Sequence, residues 1–379
     1  MPVITNIEDL RLMSKGRIAK AIFDYVDRGS YSEATLRANR DDLESLTLRQ
    51  RVAIDVDRRS TRSTLLGQDV SMPVALAPVG LTGLNWADGE MLAARAAERF
   101  GVPYTLSTMS ICSIEDVAGA VTRPFWFQLY VMRDRGFSAS LIERAKAAGC
   151  SALVLTLDLQ VQGQRHQDIK NGLAVPPRLT AGSFFNILSK PAWALNVLRG
   201  KRKSFGNLEG RIPNADSLTT LSHWIAGQFD PTLSWKDVEW IKSIWGGKII
   251  LKGILDAEDA KIAAGMGVEA LVVSNHGGRQ LDGTSSSIRA LPEIVDAVGD
   301  RIEVLFDGGI RSGQDLLRAL ALGAKGALIG RAYAYGLGAM GEKGVTRALE
   351  ILRNELDVTM ALCGIKDVKE ASPAILRAS

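Results

Sequence analysis

From about residue 72 onward, short apolar runs alternate with longer amphipathic stretches along the chain. The runs are apolar on both faces, which is typical of parallel strands buried between two layers. The stretches between them, such as Gly89–Arg99 and Ser312–Leu322, place apolar residues at helical spacing. The predicted strands are Met72–Pro78, Pro103–Ser107, Phe125–Tyr130, Ala152–Asp158, Lys248–Lys252, Ala270–Ser274, Glu303–Asp307 and Gly326–Gly330.

About eight strand–helix repeats predict an α/β fold, a (β/α)8 TIM barrel, over residues 71–379. A doubly wound parallel sheet is the alternative fold, and the number of repeats favours the barrel. Residues 1–70 are predicted to be an N-terminal helical segment packed on the barrel. Its helices are expected to start near Asn6 and to include Ala21–Tyr25 and Tyr31–Arg40.

One interval breaks this regularity, because the fourth predicted strand ends near Asp158 and the fifth begins near Lys248. The interval is far longer than an ordinary connection, and we interpret residues 170–235 as an insertion after strand four. Residues 172–208 mix aromatic, apolar and basic side chains, a composition that suits an anionic membrane surface. A substrate lid or a contact between subunits explains this composition equally well.

The charge of the chain is unevenly distributed. The 379 residues carry a net charge of +4, and no acidic residue lies between Asp168 and Glu209. A basic patch on an otherwise acidic protein argues against nucleic-acid binding. The basic residues of this stretch are Lys170, Arg178, Lys190, Arg199, Lys201, Arg202 and Lys203.

The remaining composition points to a cytoplasmic protein. No apolar run approaches the roughly 18 residues of a membrane span, and the N-terminus lacks a signal-peptide pattern. Cys112, Cys150 and Cys363 lie far apart without metal-type spacing, as is usual in a reducing compartment. Residues 172–208 add the hypothesis that the protein lies peripherally on the inner face of the cell membrane.

Nearly every predicted strand ends in a residue with useful chemistry. In a (β/α)8 barrel the carboxyl ends of all strands meet at one face, where active sites are built. This convergence predicts an enzyme. The residues at or just after the strand ends are Ser107, Tyr130, Asp158, Lys252, His276, Asp307 and Arg331.

The sixth predicted strand is followed by a glycine-rich turn that contains His276 and Arg279. An imidazole and a guanidinium three residues apart suit acid–base chemistry beside an anionic substrate. A simple turn with a capping asparagine and a solvated histidine is the alternative. Lys252 could form a Schiff base, bind an anion or lie at the surface. Asp158 could bind a metal, cap a helix or pair with His276, and with three histidines in the chain no metal site is expected.

Two glycine-rich turns predict a phosphate site. Asp307–Gly313 follows strand seven and Gly330–Arg331 follows strand eight, the loops in which barrels commonly bind phosphate. They imply a phosphate-bearing cofactor or substrate. A G-x-G-x-x-G match at Gly336–Gly341 does not follow a strand directly, so we interpret it as helix packing rather than dinucleotide binding.

Several of these stretches together resemble the FMN-dependent L-2-hydroxy-acid dehydrogenase and oxidase family. The similarity covers nearly the whole chain and is strongest to the bacterial L-lactate dehydrogenases of the respiratory chain. The matching stretches are Ala77–Gly80, Leu106–Thr108, Trp126–Tyr130, Leu251–Ile254, Ser274–Asp282 and Asp307–Arg311.

The resemblance implies an FMN-binding barrel that oxidises a short L-2-hydroxy acid, with L-lactate the first choice, to the 2-oxo acid. Electrons would pass to a quinone, a cytochrome or another respiratory acceptor, and the protein would be a homotetramer. An oxygen-using oxidase and a mandelate-type dehydrogenase are alternatives. A barrel aldolase that uses Lys252 as a Schiff-base lysine and a non-catalytic flavin-binding module are more remote.

Residue roles follow from the same resemblance. His276 would act as the base, Asp158 would pair with its imidazolium, and Lys252 would lie beside the flavin ring. The residues implied to hold the substrate carboxylate or hydroxyl are Tyr25, Tyr130, Arg165 and Arg279. Those implied to bind the flavin or its phosphate are Pro78, Val79, Gly80, Ser107, Gln128, Thr156, Ser274, Asp307, Gly309, Arg311, Gly330 and Arg331.

Two features of the chain bear on substrate choice. Met109 follows Leu106–Thr108 at a position expected to face the substrate side chain. The loop Leu159–Gln162 lacks the prolines that many family members carry there, and Gln160 and Gln162 make it more polar than expected for an enzyme strictly specific for L-lactate.

Overall fold

Eight parallel strands form a barrel in the computed structural model, which describes residues 3–172, 181–209, 224 and 227–377. The strand order is β3-β10-β9-β8-β7-β6-β5-β4, and a parallel bridge between Leu76 and Tyr104 closes the barrel. The predicted TIM barrel is therefore confirmed. Its strands are β3 (Val74–Leu76), β4 (Thr105–Ser107), β5 (Trp126–Leu129), β6 (Ala152–Thr156), β7 (Lys248–Ile254), β8 (Ala270–Val273), β9 (Glu303–Asp307) and β10 (Gly326–Ile329).

The strands are apolar on both faces because each face packs against a different core. One cluster of buried side chains, including Val154, Val272 and Leu328, fills the barrel, and a second lies between strands and helices. A hairpin of β1 (Ser63–Leu65) and β2 (Gln68–Val70) adds side chains to the inner cluster. The sequence pattern did not predict this hairpin.

Amphipathic helices surround the barrel and alternate with its strands. Asn6 caps the first helix with a capping box, at the predicted start. The helices are α1 (Ile7–Arg17), α2 (Lys20–Asp27), α3 (Ala34–Ser45), α4 (Gly89–Phe100), α5 (Ile114–Ala118), α6 (Arg135–Ala147), α7 (His166–Lys170), α8 (Ala181–Leu188), α9 (Pro191–Leu198), α10 (Trp235–Trp245), α11 (Ala257–Gly265), α12 (Ser287–Val298), α13 (Gly313–Ala321), α14 (Arg331–Met340) and α15 (Glu342–Cys363), with 3-10 turns at Thr82–Leu84, Val368–Glu370 and Pro373–Ile375.

The glycines of the G-x-G-x-x-G match serve helix packing, as predicted. A side chain at Gly336 would lie 2.3 Å from the carbonyl oxygen of Gly344 on α15, and one at Gly338 would lie 2.3 Å from Ser14 Oγ on α1. Three helices approach closely here because these glycines have no side chain.

Helices α8 and α9 of the insertion pack against the N-terminal helices and the first barrel loop. The backbone N–H of Lys20 donates to Asn186 Oδ1 at 2.6 Å, and Trp193 Nε1 donates to the Leu84 carbonyl at 2.8 Å. Of the predicted insertion and membrane segment, residues 173–180, 210–223, 225 and 226 lie outside the described residues, and with them Arg178. Among the helices that the structure describes, none combines the length and the apolar character needed to cross a bilayer.

Candidate active site

A cavity of about 1080 Å³ opens at the carboxyl ends of the strands. Its volume is at the upper end of the range for small-molecule sites, and it can hold a cofactor and a substrate together. Most of the predicted site residues line it. They are Tyr25, Pro78, Val79, Gly80, Ser107, Met109, Tyr130, Thr156, Arg165, Lys252, His276, Arg279, Asp307, Gly309, Arg311, Gly330 and Arg331.

His276 and Asp158 form the central pair of the site. His276 Nδ1 lies 2.9 Å from Asp158 Oδ1, which leaves Nε2 as the ring nitrogen that can exchange a proton with a ligand. His276 has a left-handed backbone with φ of 59°. Asp158 Oδ2 is buried and has no hydrogen-bond partner among the described residues. At Gly253 a side chain would lie 2.6 Å from Asp158 Cγ, so glycine is required there.

The surroundings of this pair favour a neutral histidine beside a carboxylate. Burial lowers the pKa of His276 below its ordinary value, and the attraction of Asp158 opposes this shift only in part. Burial disfavours the Asp158 carboxylate, yet His276 and Lys252 lower its pKa below the usual range. A neutral imidazole that is hydrogen-bonded to a carboxylate can accept a proton, and the carboxylate then stabilises the positively charged ring.

Lys252 is buried near the end of β7 and has two polar partners among the described residues. Its Nζ lies 2.8 Å from Asp307 Oδ2 and donates to Ser274 Oγ at 2.9 Å. Ser274 Oγ in turn donates to Asp307 Oδ2 at 2.7 Å and accepts the His276 backbone N–H at 3.0 Å. Burial opposes the lysine charge, but Asp307 and Asp158 raise its pKa above the ordinary value. Lys252 is thus a fixed cation, which is unsuited to forming a Schiff base as a neutral amine.

Two arginines and two tyrosines surround the space in front of His276. Arg279 lies over the Tyr25 ring at 4.8 Å, and Arg165 Nε donates to the Arg279 carbonyl at 3.4 Å. Burial and the neighbouring Arg279 lower the pKa of Arg165, and the nearby Asp168 opposes this shift only in part. Burial raises the pKa of Tyr130, which keeps its hydroxyl protonated. This arrangement suits a carboxylate with an adjacent hydroxyl.

The opposite end of the cavity is suited to phosphate. Helices α13 and α14 begin there, and no side chain of the described residues caps the α14 N-terminus at Gly330. Arg331 uses one N–H on each of its three nitrogens to hold the carbonyls of Val26, Gly277 and Arg28. Two of its N–H groups remain for an anion. Arg311 lies over the Tyr335 ring at 5.6 Å and also lines the cavity.

Three of the predicted residues lie behind the cavity wall rather than on it. Gln128 is buried, donates to Thr156 Oγ1 at 3.0 Å and accepts from Ser107 Oγ at 3.2 Å. Asp158 and Ser274 likewise reach the cavity through His276 and Lys252. Within the described structure these three residues hold other residues in place instead of lining the cavity.

Sequence reasoning offered a substrate lid for residues 172–208 but assigned no individual residue to the outer wall of the cavity. Leu84, Ile187, Trp193 and Phe205 line it with apolar surface, and Phe229 packs edge-on against Tyr130 with ring centroids 6.2 Å apart. These residues come from loops and from the insertion, where no repeating pattern marks them. Of the two loop glutamines, Gln162 lines the cavity, while Gln160 donates to the Leu233 carbonyl at 2.6 Å. In the part of the chain described, no group of three or more His, Cys, Asp or Glu side chains could hold a metal.

Comparisons with known proteins agree with this geometry. L-lactate dehydrogenases of Caulobacter vibrioides (strain NA1000 / CB15N) and Pseudomonas syringae pv. syringae (strain B728a) are 49% and 47% identical over 375 and 378 residues, covering 99% of this chain and 98% of each relative. The crystal structure of the monotopic membrane protein (S)-mandelate dehydrogenase has a TM-score of 0.95 and 36% identity, with both chains covered completely. A soluble mutant of the membrane-associated (S)-mandelate dehydrogenase from Pseudomonas putida has a TM-score of 0.85 and 35% identity, again over both full chains.

The cavity suits FMN on structural grounds. Arginines and helix N-termini at one end match a phosphate, and the Lys252 ammonium at the other matches a ring that takes up negative charge when it is reduced. A sequence model of the FMN-dependent dehydrogenases matches residues 14–378. The resemblance and the FMN cofactor predicted from the sequence are thereby confirmed. This chain belongs to the FMN-dependent dehydrogenase family.

Proposed function

We propose that the protein oxidises L-lactate to the 2-oxo acid with FMN as cofactor. The observation that carries the proposal is the His276–Asp158 pair, 2.9 Å apart, in front of which Arg165 and Arg279 line the cavity without a salt bridge to any described carboxylate. Full-length relatives named L-lactate dehydrogenase support the choice of substrate.

FMN, when bound, supplies the electron-accepting ring of the reaction. Arg311, Arg331 and the backbone at Gly309 and Gly330 would hold its phosphate. Lys252 would lie at the ring end, where a buried cation favours extra negative charge. Ser107, Thr156, Asp307 and residues 78–80 would form the ring's walls, with Gln128 and Ser274 supporting them from behind.

The residues in front of His276 would orient the substrate and move its proton. Arg165, Arg279 and Tyr25 bind the carboxylate, which offsets the desolvation of that anion. Tyr130 hydrogen-bonds the hydroxyl oxygen, and its high pKa keeps it a donor. His276 accepts a proton from the substrate at Nε2, and Asp158 stabilises the resulting imidazolium.

Anaerobic addition of L-lactate to the purified protein tests this proposal. The visible flavin spectrum should bleach within the dead time of manual mixing, with one 2-oxo acid formed per flavin. D-lactate is the matched control and should leave the spectrum unchanged. A flavin that stays oxidised with L-lactate would contradict the substrate assignment.

A larger 2-hydroxy acid is the second candidate, favoured by the likeness to (S)-mandelate dehydrogenase and by the apolar outer wall. If (S)-mandelate bleaches the flavin faster than L-lactate at equal concentration, the mandelate-type reaction takes precedence. Met109 lines the cavity and would then contact the larger side chain.

We further propose that a quinone or another respiratory acceptor, rather than oxygen, reoxidises the enzyme. The names of the relatives, which are dehydrogenases, support this choice. In air, hydrogen peroxide should form at a small fraction of the rate measured with a soluble quinone analogue. Peroxide formation that matches full turnover would instead identify an oxidase.

Exposed apolar side chains support the proposal that α8 and α9 attach the protein to the inner face of the cell membrane. Phe185 and Leu198 are 69% and 67% exposed, and Phe184, Leu188 and Leu195 are also exposed. The solved relative named a monotopic membrane protein supports the same idea. Since Trp193 and Ile187 of these helices also line the cavity, the segment could act as a lid as well.

Co-sedimentation with anionic vesicles tests this attachment. The double substitution F184S/F185S should reduce the bound fraction at least fivefold while lactate-dependent flavin reduction continues. V358S/L362S, which removes two exposed apolar residues of α15, is the matched control and should bind like the original protein. Equal binding of both variants would contradict the membrane hypothesis.

Domain organisation and assembly complete the proposal. We propose that residues 1–70 act as a brace on one flavin-binding barrel of residues 71–379, with residues 170–235 as its insertion, and that the protein is a cytoplasmic homotetramer. Light scattering of the purified protein should give about four times the 40.9 kDa mass of one chain. A monomeric mass would exclude the tetramer.

A further inference from the structure

A pair of buried asparagines joins the N-terminal helix α3 to the loop that carries His276. Asn39 Nδ2 donates to Asn275 Oδ1 at 2.8 Å, and Asn275 Nδ2 donates back to Asn39 Oδ1 at 2.8 Å. Asn39 is 2% exposed and Asn275 4%. Side-chain amides that exchange two hydrogen bonds in a buried site fix each other's orientation strongly.

Each amide of the pair also holds backbone of the catalytic loop or of the helix that follows it. Asn275 Oδ1 accepts the Gly278 N–H at 3.0 Å, and Asn275 Nδ2 donates to the Ser285 carbonyl at 3.2 Å. Asn39 Oδ1 accepts the Ser287 N–H at 3.2 Å, and Ser287 Oγ accepts the Asn275 N–H at 3.2 Å. The two ends of the loop, at Asn275 and Ser287, are thus bound to one residue of α3.

The catalytic loop needs such support because its backbone is strained. His276 has φ of 59°, a conformation that a residue with a side chain adopts only when its surroundings impose it. The side chain of the same residue makes the hydrogen bond to Asp158. The amide pair fixes the side chain of Asn275, the residue immediately before His276. It also holds the backbone N–H of Gly278, two positions after His276.

The same stretch of α3 also contacts the phosphate end of the site. Arg40 pairs with Asp315 at 2.6 Å and donates to the Gly309 carbonyl. A side chain at Gly309 would lie 2.3 Å from the Asn39 carbonyl oxygen. Adjacent residues of one helix therefore touch both the His276 loop and the loop proposed to bind phosphate.

We propose that Asn39 is a positioning residue for His276, acting through Asn275 from outside the barrel. The inference rests on the proposed function, in which His276 is the base. Loss of the amide pair would let the loop relax from its left-handed conformation and would move Nε2 relative to a bound substrate. Of the three residues proposed to bind the carboxylate, Arg165 and Tyr25 lie outside this loop and Arg279 lies within it. Two of the three carboxylate contacts would therefore remain, so the reaction rate is more sensitive than substrate affinity.

The substitutions Asn39→Asp and Asn39→Ala disturb the amide pair to different extents. Asn39→Asp keeps the acceptor for Asn275 Nδ2 and for the Ser287 N–H but places an oxygen against Asn275 Oδ1, whereas Asn39→Ala removes every contact of the amide. Asp41→Asn is the matched control, because Asp41 is exposed on the same helix. Each variant is purified as the FMN-loaded protein, and rates are expressed per bound flavin.

Two measurements test the proposal. With labelled histidine, the chain's three histidines give separate NMR signals, and His276→Gln identifies the signal of His276. That signal should shift in Asn39→Asp and coincide with the original in Asp41→Asn. The single-turnover rate of flavin reduction by L-lactate should fall about tenfold in Asn39→Asp and about a hundredfold in Asn39→Ala, with substrate affinity changed by less than about threefold.

The NMR signal decides the outcome. If the His276 signal and the rate per bound flavin of Asn39→Asp both match Asp41→Asn, Asn39 has only a structural role, whatever happens to its melting temperature, and the proposal is wrong. Asn39→Asp is sufficient even if Asn39→Ala does not fold. A shifted signal in a protein that no 2-hydroxy acid reduces would support the positioning role and overturn the proposed function instead.

Discussion

The floor and the outer wall of the cavity are built on different physical principles. The floor consists of Lys252, His276 and Asp307, which line the cavity, together with Asp158 and Ser274 directly behind them. They are joined to one another by hydrogen bonds and ion pairs of 2.7 to 2.9 Å. The outer wall, formed by Leu84, Ile187, Trp193 and Phe205, contacts the cavity through apolar surface and comes from loops and the insertion.

The floor therefore determines the reaction, and the outer wall determines which molecules can enter the cavity. In the floor, each charge depends on its neighbours, because an unpaired buried charge is costly, so a single substitution disturbs the whole group. The outer wall shapes the cavity by volume, and a change there alters which molecules fit more than how they react.

His276→Gln should lower kcat/KM for L-lactate about ten-thousandfold, because it removes the group that accepts the proton. FMN content should remain near one per chain, since the phosphate end is untouched. His166→Gln is the matched control, as His166 is exposed outside the floor, and should retain near-full activity. Retention of even a tenth of the activity by His276→Gln would assign the base to another residue.

Asp158→Asn should lower kcat about a hundredfold while KM changes little. The amide keeps the shape of the contact with His276 but no longer stabilises the imidazolium. Stopped-flow reduction of the flavin measures this step directly. If the loss appears in KM instead, Asp158 acts on substrate binding and the description of the floor needs revision.

The pH dependence of kcat/KM should show an acid limb below pH 6.5, falling about tenfold per pH unit, because burial lowers the His276 pKa from 6.5. The unfolded chain then binds more protons than the folded one as the pH falls below 6.5, so His276 also lowers the free energy of unfolding there. Steady-state rates from pH 5 to 8 test this. An acid limb centred above pH 7 would mean that Asp158 dominates over burial.

Met109→Ala should shift the preference between (S)-mandelate and L-lactate about tenfold towards mandelate. Met109 lines the cavity next to Gly80, and removing its side chain enlarges the space for a larger substituent. The ratio of the two kcat/KM values is the measurement. A parallel loss with both substrates would place Met109 with the floor rather than with the specificity-determining surface.

Strand ends were the part of the site that the sequence could predict. Strand β9 coincides with its predicted range, and the others lie within theirs or pass them by two residues, because buried parallel strands give uninterrupted apolar runs. Lys252, His276 and Asp307 follow directly from those boundaries. Asn39 could not be found in this way, since an asparagine within a polar helix carries no signal of its partner 236 positions away.

The basic residues between Asp168 and Glu209 are a second example of a property that the sequence alone could not predict. In sequence, the residues between Asp168 and Glu209 form an unbalanced positive patch. In the fold, Asp116 of α5 pairs with Lys201 at 2.6 Å and with Arg202, while Lys203 donates to carbonyls at the end of α9. Part of the apparent positive charge is therefore neutralised by an acid distant in sequence, and the exposed apolar side chains of α8 and α9 carry more of the membrane argument.

The sequence by itself determined the barrel, the approximate ranges of its strands, the family and the residues at the strand ends. These depend on local periodicity and on short motifs, which a single chain displays directly. The tertiary structure alone decided which of these residues line the cavity, how burial and Asp158 set the state of His276, and that α3 holds the catalytic loop. Those properties depend on distances and desolvation between segments far apart in the chain, which no local pattern encodes.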